Sequence, residues 1–202
     1  MACDLTLGRK EPCKDSVGGL KNIYFVDYGK LGTVSYDSVN TDVVDDLTGS
    51  TISAAANSLT AYKYELKGTT NTFEQAVTAS RDNGTVFYEQ TLNVTLKKLS
   101  AADNKELKLL AYGRPHIFVE DNNGNVMAMG LIHGADVSGG TVVTGGAMGD
   151  LSGYTLTFSG SEQVAANFLE VTVASSAVDY PFSVTDFPGL TGDIVITEGT
   201  NS

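Results

Sequence analysis

Between Val86 and Leu96 the sequence constrains the chain most. Val86, Tyr88, Leu92, Val94 and Leu96 share one parity, and Glu89, Thr91, Asn93 and Thr95 share the other. Successive side chains of a strand point to opposite faces, so the segment reads as a half-buried β-strand with one apolar face. Period two recurs in Tyr62-Lys63-Tyr64-Glu65-Leu66-Lys67 and in Gly153-Tyr-Thr-Leu-Thr-Phe158, and more weakly over 73–79. Residues 20–28, rich in strand formers, follow the turn signal Gly18-Gly19. Glycine is abundant at 22 and proline scarce at 4, a mixture that favours strands joined by tight turns.

One helix is predicted, over about 101–112. Ser100 can cap it, Asp103 stands near its positive end, and Leu107, Leu110 and Ala111 form a core stripe. Gly113 occupies the place of a left-handed C-cap and Pro115 blocks continuation. A hairpin follows: strand 116–120, the turn Asp121-Asn122-Asn123-Gly124-Asn125, and a return strand over 126–133. With Asn123-Gly124 as the two central turn residues, His116 faces Leu131 and His133 faces Arg114. Further strands are expected over 135–144 and 152–158, then near 169–174 and 193–197.

Residues 29–58 show no clear period. They hold Gly29, Gly32, Gly49, the acidic cluster Asp42, Asp45 and Asp46, and the run Ala54-Ala55-Ala56. A stretch of this length without a pattern predicts a long functional loop or arm. The reading is therefore a mainly β domain over 1–162 with a long loop at about 29–58, and a C-terminal β extension or arm over 163–202.

Charge is unevenly placed. All 13 Lys and Arg stand at or before Arg114. Residues 1–114 carry fourteen acids, a net of −1, and residues 115–202 carry ten acids and no cation, a net of −10; together these give −11. Such a surface repels phosphate rather than capturing it, which argues against specific nucleic-acid binding. No apolar run approaches the roughly 20 residues of a membrane-spanning helix. The first ten residues have no apolar signal core, which predicts folding in a cytoplasm, where Cys3 and Cys13 stay as thiols.

Catalytic signatures are missing: there is no phosphate-binding G-x-x-x-x-G-K-[ST], no H-E-x-x-H, no G-x-S-x-G and no G-x-G-x-x-G. The Gly145–Gly149 run leads back into a strand, so it reads as a turn and not as a phosphate cradle. His116 and His133 fall diagonally on one sheet face, but two imidazoles without a third ligand make no metal site. The expectation is a non-enzyme without cofactor or metal.

Several motifs in succession resemble tail tube (major tail) proteins of long-tailed bacteriophages. They are Gly18-Gly-Leu-Lys-Asn-Ile-Tyr-Phe, Thr85-Val-Phe-Tyr-Glu-Gln-Thr-Leu, Glu106-Leu-Lys-Leu-Leu-Ala, Val119-Glu-Asp-Asn-Asn-Gly, and Gly149-Asp-Leu-Ser-Gly-Tyr-Thr-Leu-Thr-Phe-Ser-Gly. The resemblance implies a β-sandwich or barrel-like subunit with one flanking helix. It implies six copies in a ring, and rings stacked into a virion tube through which the genome passes. Partners would be further copies and other tail proteins, with DNA as passing cargo and no membrane. Glu120, Asp121, Asp136 and Asp150, at or beside predicted strand ends, are then candidates to line the lumen. The loop carrying Asp42, Asp45 and Asp46 is the candidate contact between rings. Alternatives are a neck or capsid-decoration protein, or a virion-borne adhesive β-sandwich, although the latter would favour exposed Trp and the chain has none.

Overall fold

The computed structural model describes residues 9–10, 13–31, 33–36, 43–48, 59–169, 180–182 and 194–199. In chain order the elements are β1 (Leu20–Val26), β2 (Thr33–Tyr36), β3 (Val43–Thr48), β4 (Leu59–Glu65), β5 (Thr72–Ser80) and β6 (Thr85–Lys97). Then follow α1 (Ala101–Tyr112), β7 (His116–Asp121), β8 (Val126–Met129), β9 (Asp136–Val143), β10 (Gly153–Glu162), β11 (Asn167–Leu169) and β12 (Ile194–Glu198). Among the described residues the fold is mainly β, with two sheets and a single helix. Eight strands form one sheet in the order β12-β4-β1-β7-β8-β11-β3-β2, and four form the other in the order β5-β6-β10-β9.

The alternating segments place the first core. From β6, Leu92 and Val94 point inward with Phe158 of β10, and they meet Ile23 and Phe25 of β1 and Ile117 and Val119 of β7. The opposite parity of the same central strands builds a second core. Tyr24, Val26 and Phe118 pack there with Val126, Ala128, Leu169, Ile194 and Phe182. Unbroken apolar runs in β1 and β7 thus reflect strands buried on both faces. Val34 of β2 and Ile196 of β12, from opposite ends of the eight-stranded sheet, pack on this same second core, so the sheet curls round it. Phe182 meets Tyr24 and Phe118 edge-on at 5.3 and 5.1 Å, contacts worth about 1 kcal/mol each beyond their buried area.

Within the expected C-terminal β extension, the described strands β11 and β12 join the large sheet. β11 pairs with β8 and, in parallel, with β3, while β12 pairs in parallel with β4. Within 29–58 the described residues include two strands where a loop without pattern was expected. β2 and β3 form an antiparallel pair that extends the large sheet, and Asp45 and Asp46 lie in β3. Asp42, Gly49 and Ala54–Ala56 fall outside the described residues. Of the strand expected near 169–174, β11 covers 167–169 and the rest also falls outside them.

Two local expectations are corrected. The β7–β8 register pairs Ile117 with Met129 and Glu120 with Val126, one residue away from that of a two-residue turn. Asp121 and Asn125 close a three-residue loop, in which Gly124 takes φ 85° and its N–H donates to the Asp121 carbonyl. The helix begins as expected: the Asp103 N–H donates to Ser100 Oγ at 3.0 Å. Its end differs, because Gly113 is extended at φ −93° and donates its N–H to the Leu109 carbonyl. None of its residues is buried; Leu110 packs partly on the first core, while Ala111 is exposed.

Candidate assembly surface

The four-stranded sheet is built on β6, the longest strand at 13 residues. β6 pairs with β5 from Thr72–Asn93 to Ser80–Thr85, and with β10 from Gly153–Lys97 to Glu162–Tyr88. A Cβ at Gly153 would overlap the Leu96 carbonyl oxygen, so the approach of the two strands at this point requires glycine. Among the described residues β9 pairs only with β10, and β5 only with β6. Each therefore presents an open row of backbone donors and acceptors along its far side.

Inward parity on β6 and β10 leaves the other face to Thr91, Asn93, Thr95, Thr155, Thr157 and Ser159. A belt of hydrogen bonds crosses all four strands on this face. Ser138 Oγ of β9 donates to the Thr157 carbonyl at 3.2 Å, and Thr157 Oγ1 of β10 donates to Asn93 Oδ1 at 2.9 Å. Asn93 Nδ2 of β6 then donates to Thr72 Oγ1 of β5 at 3.3 Å. One row away, the Thr141 and Thr155 hydroxyls meet at 2.5 Å. The charged side chains of the face are Glu74, Glu89, Asp136 and Lys97, by their register with these residues.

The β5–β6 hairpin runs past the covered part of the sandwich. Val77 and Val86 have the inward parity of Leu92 but are 61% and 52% exposed. This apolar overhang adjoins the β5 edge.

The acids singled out in the sequence are not gathered at one place. Glu120 is fully buried, which overturns its assignment to an open lumen. Its carboxylate accepts from Lys21 Nζ at 2.9 Å, Asn22 Nδ2 at 2.7 Å and the Tyr24 hydroxyl at 2.9 Å. Burial, with Glu120 beside it, pushes the Tyr24 phenol far above its ordinary range. Asp121 organises the hairpin turn by accepting N–H bonds from Asn123 and Asn125 at 2.9 and 2.7 Å. Partial burial opposes ionisation there, but the bonds from Asn125 and Asn123 outweigh it and hold the carboxyl below its usual range. Asp150 likewise caps a turn, and the N–H groups of Ala147 and Gly146 hold its carboxyl low. Asp136, exposed at the start of β9, is the one member of the set on the small sheet. It borders a cleft of about 260 Å³ with Arg114, His133, Ser159 and Ser161.

The histidines differ in setting. His116 is buried and stacks on Tyr28, with ring centres 5.1 Å apart. Its Nε2 accepts the Gly29 N–H at 3.2 Å, and its Nδ1 lies 2.7 Å from the Gly130 carbonyl. Those partners fix a neutral ring protonated on Nδ1, and both nitrogens are taken. Burial lowers its pKa, against smaller opposing effects of the Gly130 bond and Glu162. Among the described residues no three His, Cys, Asp or Glu side chains are placed to hold a metal ion.

The hydroxyl belt and the open edges were missed by reading acids. The Thr91, Asn93 and Thr95 parity already carried the signal. Comparison with known proteins gives no match to any family model, curated protein or solved structure.

Proposed function

We propose that this chain is a structural, non-catalytic subunit that joins with copies of itself into stacked rings of a bacteriophage tail tube, through which the genome passes. The observation that carries the reading is the small sheet, with two long open edges and a hydroxyl belt running from one to the other. β5, β6, β10 and β9 are each antiparallel to the next. An even number of strands means that β5 of one copy meets β9 of the next in antiparallel sense. A head-to-tail contact of this kind closes into a ring when its rotation permits.

The outer face suits a passage wall. Hydroxyl and amide groups keep a bound water layer, while one lysine among three acids offers no cluster to grip phosphate. Under this reading the lumen is lined by the belt together with Glu74, Glu89 and Asp136. Glu120 has no part in it, and Asp121 and Asp150 serve turns. The exposed Val77 and Val86 form a surface for a neighbouring copy to cover. The number six and the stacking come from the resemblance to tail tube proteins. So do the other tail proteins as partners, DNA as unbound cargo, and a place in the virion tail after assembly in the bacterial cytoplasm.

Light scattering and negative-stain microscopy of concentrated protein test the reading; rings or tubes are expected. Ala76→Lys on β5 and Thr141→Lys on β9 each set a charge at an edge. They should abolish rings while leaving the circular dichroism of the subunit unchanged. A chain that stays strictly monomeric at high concentration overturns the proposal.

A further inference from the structure

The chain contains two Asn-Gly pairs in contrasting settings, Asn83-Gly84 and Asn123-Gly124. We infer that both are self-modifying deamidation sites with unequal rates: Asn83 is open, and Asn123 is latched by the N-terminal segment that its own amide holds. In the reaction the glycine nitrogen attacks the asparagine Cγ and gives up its proton. The bond from Cγ to the side-chain nitrogen breaks, ammonia leaves, and a five-membered succinimide forms. Water then opens either carbonyl of the ring, leaving aspartate or isoaspartate. Water is the only co-reactant, and a following glycine favours attack because no Cβ shields its nitrogen.

Asn83 lies in the exposed turn between β5 and β6. Its backbone N–H donates to Ser80 Oγ at 3.3 Å, and its side-chain amide has no hydrogen-bond partner among the described residues. Among the described residues nothing holds that side chain away from the Gly84 nitrogen.

Asn123 is held on three sides. Its Oδ1 accepts the Val17 N–H at 2.9 Å, and its Nδ2 donates to the Val17 carbonyl at 2.8 Å and to Asp121 Oδ2 at 3.2 Å. The amide thus pairs with Val17 as a peptide group would across two strands. Beside it, the Asn122 N–H donates to the Gly19 carbonyl, and Asn122 Nδ2 donates to the Gly18 carbonyl. To reach the Gly124 nitrogen, the Asn123 side chain must first let go of Val17. Two net hydrogen bonds of ordinary strength reduce the released population by roughly thirtyfold.

The consequences also differ. At Asn123 a new carboxylate would set an oxygen where the Nδ2 donor stood, against the Val17 carbonyl and the Asp121 carboxylate, and the segment around Val17 would come free. At Asn83 the new charge joins Asp82 at an exposed hairpin tip and breaks no side-chain bond. The docked segment therefore protects the residue on which its docking depends.

The test is peptide mapping by mass spectrometry of the full chain incubated at mildly alkaline pH, with enzymatic counting of isoaspartate. Asn83 should convert on the order of thirtyfold faster than Asn123 in the folded protein. In urea-unfolded chain the two rates should converge. Val17→Pro, which removes the N–H that Asn123 accepts, should speed Asn123 and leave Asn83 unchanged. Asn123→Asp should raise amide hydrogen exchange at residues 16–19. Equal folded rates, a difference that persists in urea, a Val17→Pro chain in which Asn123 stays slow, or unchanged exchange in Asn123→Asp would each overturn the inference.

Discussion

Glu120→Ala is the sharpest probe of the core. The Glu120 carboxylate is fully buried and takes three donors. One of them, Lys21, has a side chain 54% exposed and can turn to water when Glu120 is removed, so the lost ion pair adds at most about 1 kcal/mol on its side. The other two belong to buried residues, Asn22 and Tyr24. Removing their acceptor leaves Asn22 Nδ2 unsatisfied, and leaves the Tyr24 hydroxyl only the long 3.4 Å contact to the Tyr180 carbonyl. At about 1–3 kcal/mol for each stranded group, Glu120→Ala should cost about 4 kcal/mol. Glu120→Gln keeps one acceptor for Asn22 and Tyr24 and should cost about half as much. Urea titration of the two variants, at unchanged slope, reads the larger loss for Glu120→Ala. If Glu120→Gln matched Glu120→Ala, loss of the charge rather than stranding of the buried donors would carry the effect, and the reasoning would fail.

His116 predicts acid sensitivity. The ring titrates near 6.5 when unfolded and lower when folded, so it adds no pH dependence well above 6.5. As pH falls through 6.5 the unfolded chain takes up a proton that the folded ring refuses, and stability declines until the folded pKa is passed. Denaturation midpoints between pH 8 and pH 5 should show this decline, and His116→Gln should flatten it. Gly153→Ala forces β10 away from Leu96 and should destabilise by about 3 kcal/mol or more, read as a fall in thermal midpoint. An unchanged midpoint would mean that the β6–β10 approach can relax freely.

Local signals were legible where the physics is local. β6, β10 and the start of α1 follow from parity and from Ser100 as cap. The hairpin was legible as a hairpin but not in register. Asn-Gly favours a two-residue turn, yet Asp121 holds the N–H groups of both Asn123 and Asn125, which stabilises the wider loop. Long-range pairing left no such trace. β2 and β3 are short, β11 and β12 find parallel partners more than a hundred residues away, and none shows a long alternating run. Glu120 beside a turn reads as a solvated acid. Only the β1–β7 register, which sets Tyr24 against Phe118 and Asn22 against Glu120 itself, shows the donors waiting for it.

The two sheets handle their edges differently, and under the proposed assembly this favours the small one as the pairing element. The large sheet ends in β12 and β2, of five and four residues, and it curls so that both ends reach one core. Short ends of this sort give a neighbouring chain little to pair with. The small sheet ends in β5 and β9, of nine and eight residues, and neither strand contains Lys, Arg or Pro. Those are the residues that usually guard an edge. The guards present are Glu74 in β5, Asp136 at the start of β9, and the register shift opposite Thr157 and Phe158, which interrupts β9 on its paired side near Gly139. Long, lightly guarded edges are hazardous on a monomer because they accept other strands, and they are harmless once the matching edge of another copy occupies them. A belt that already links Thr72 at one edge to Ser138 at the other adds side-chain donors and acceptors in the same row. Edge pairing between copies would extend both the backbone ladder and this row together.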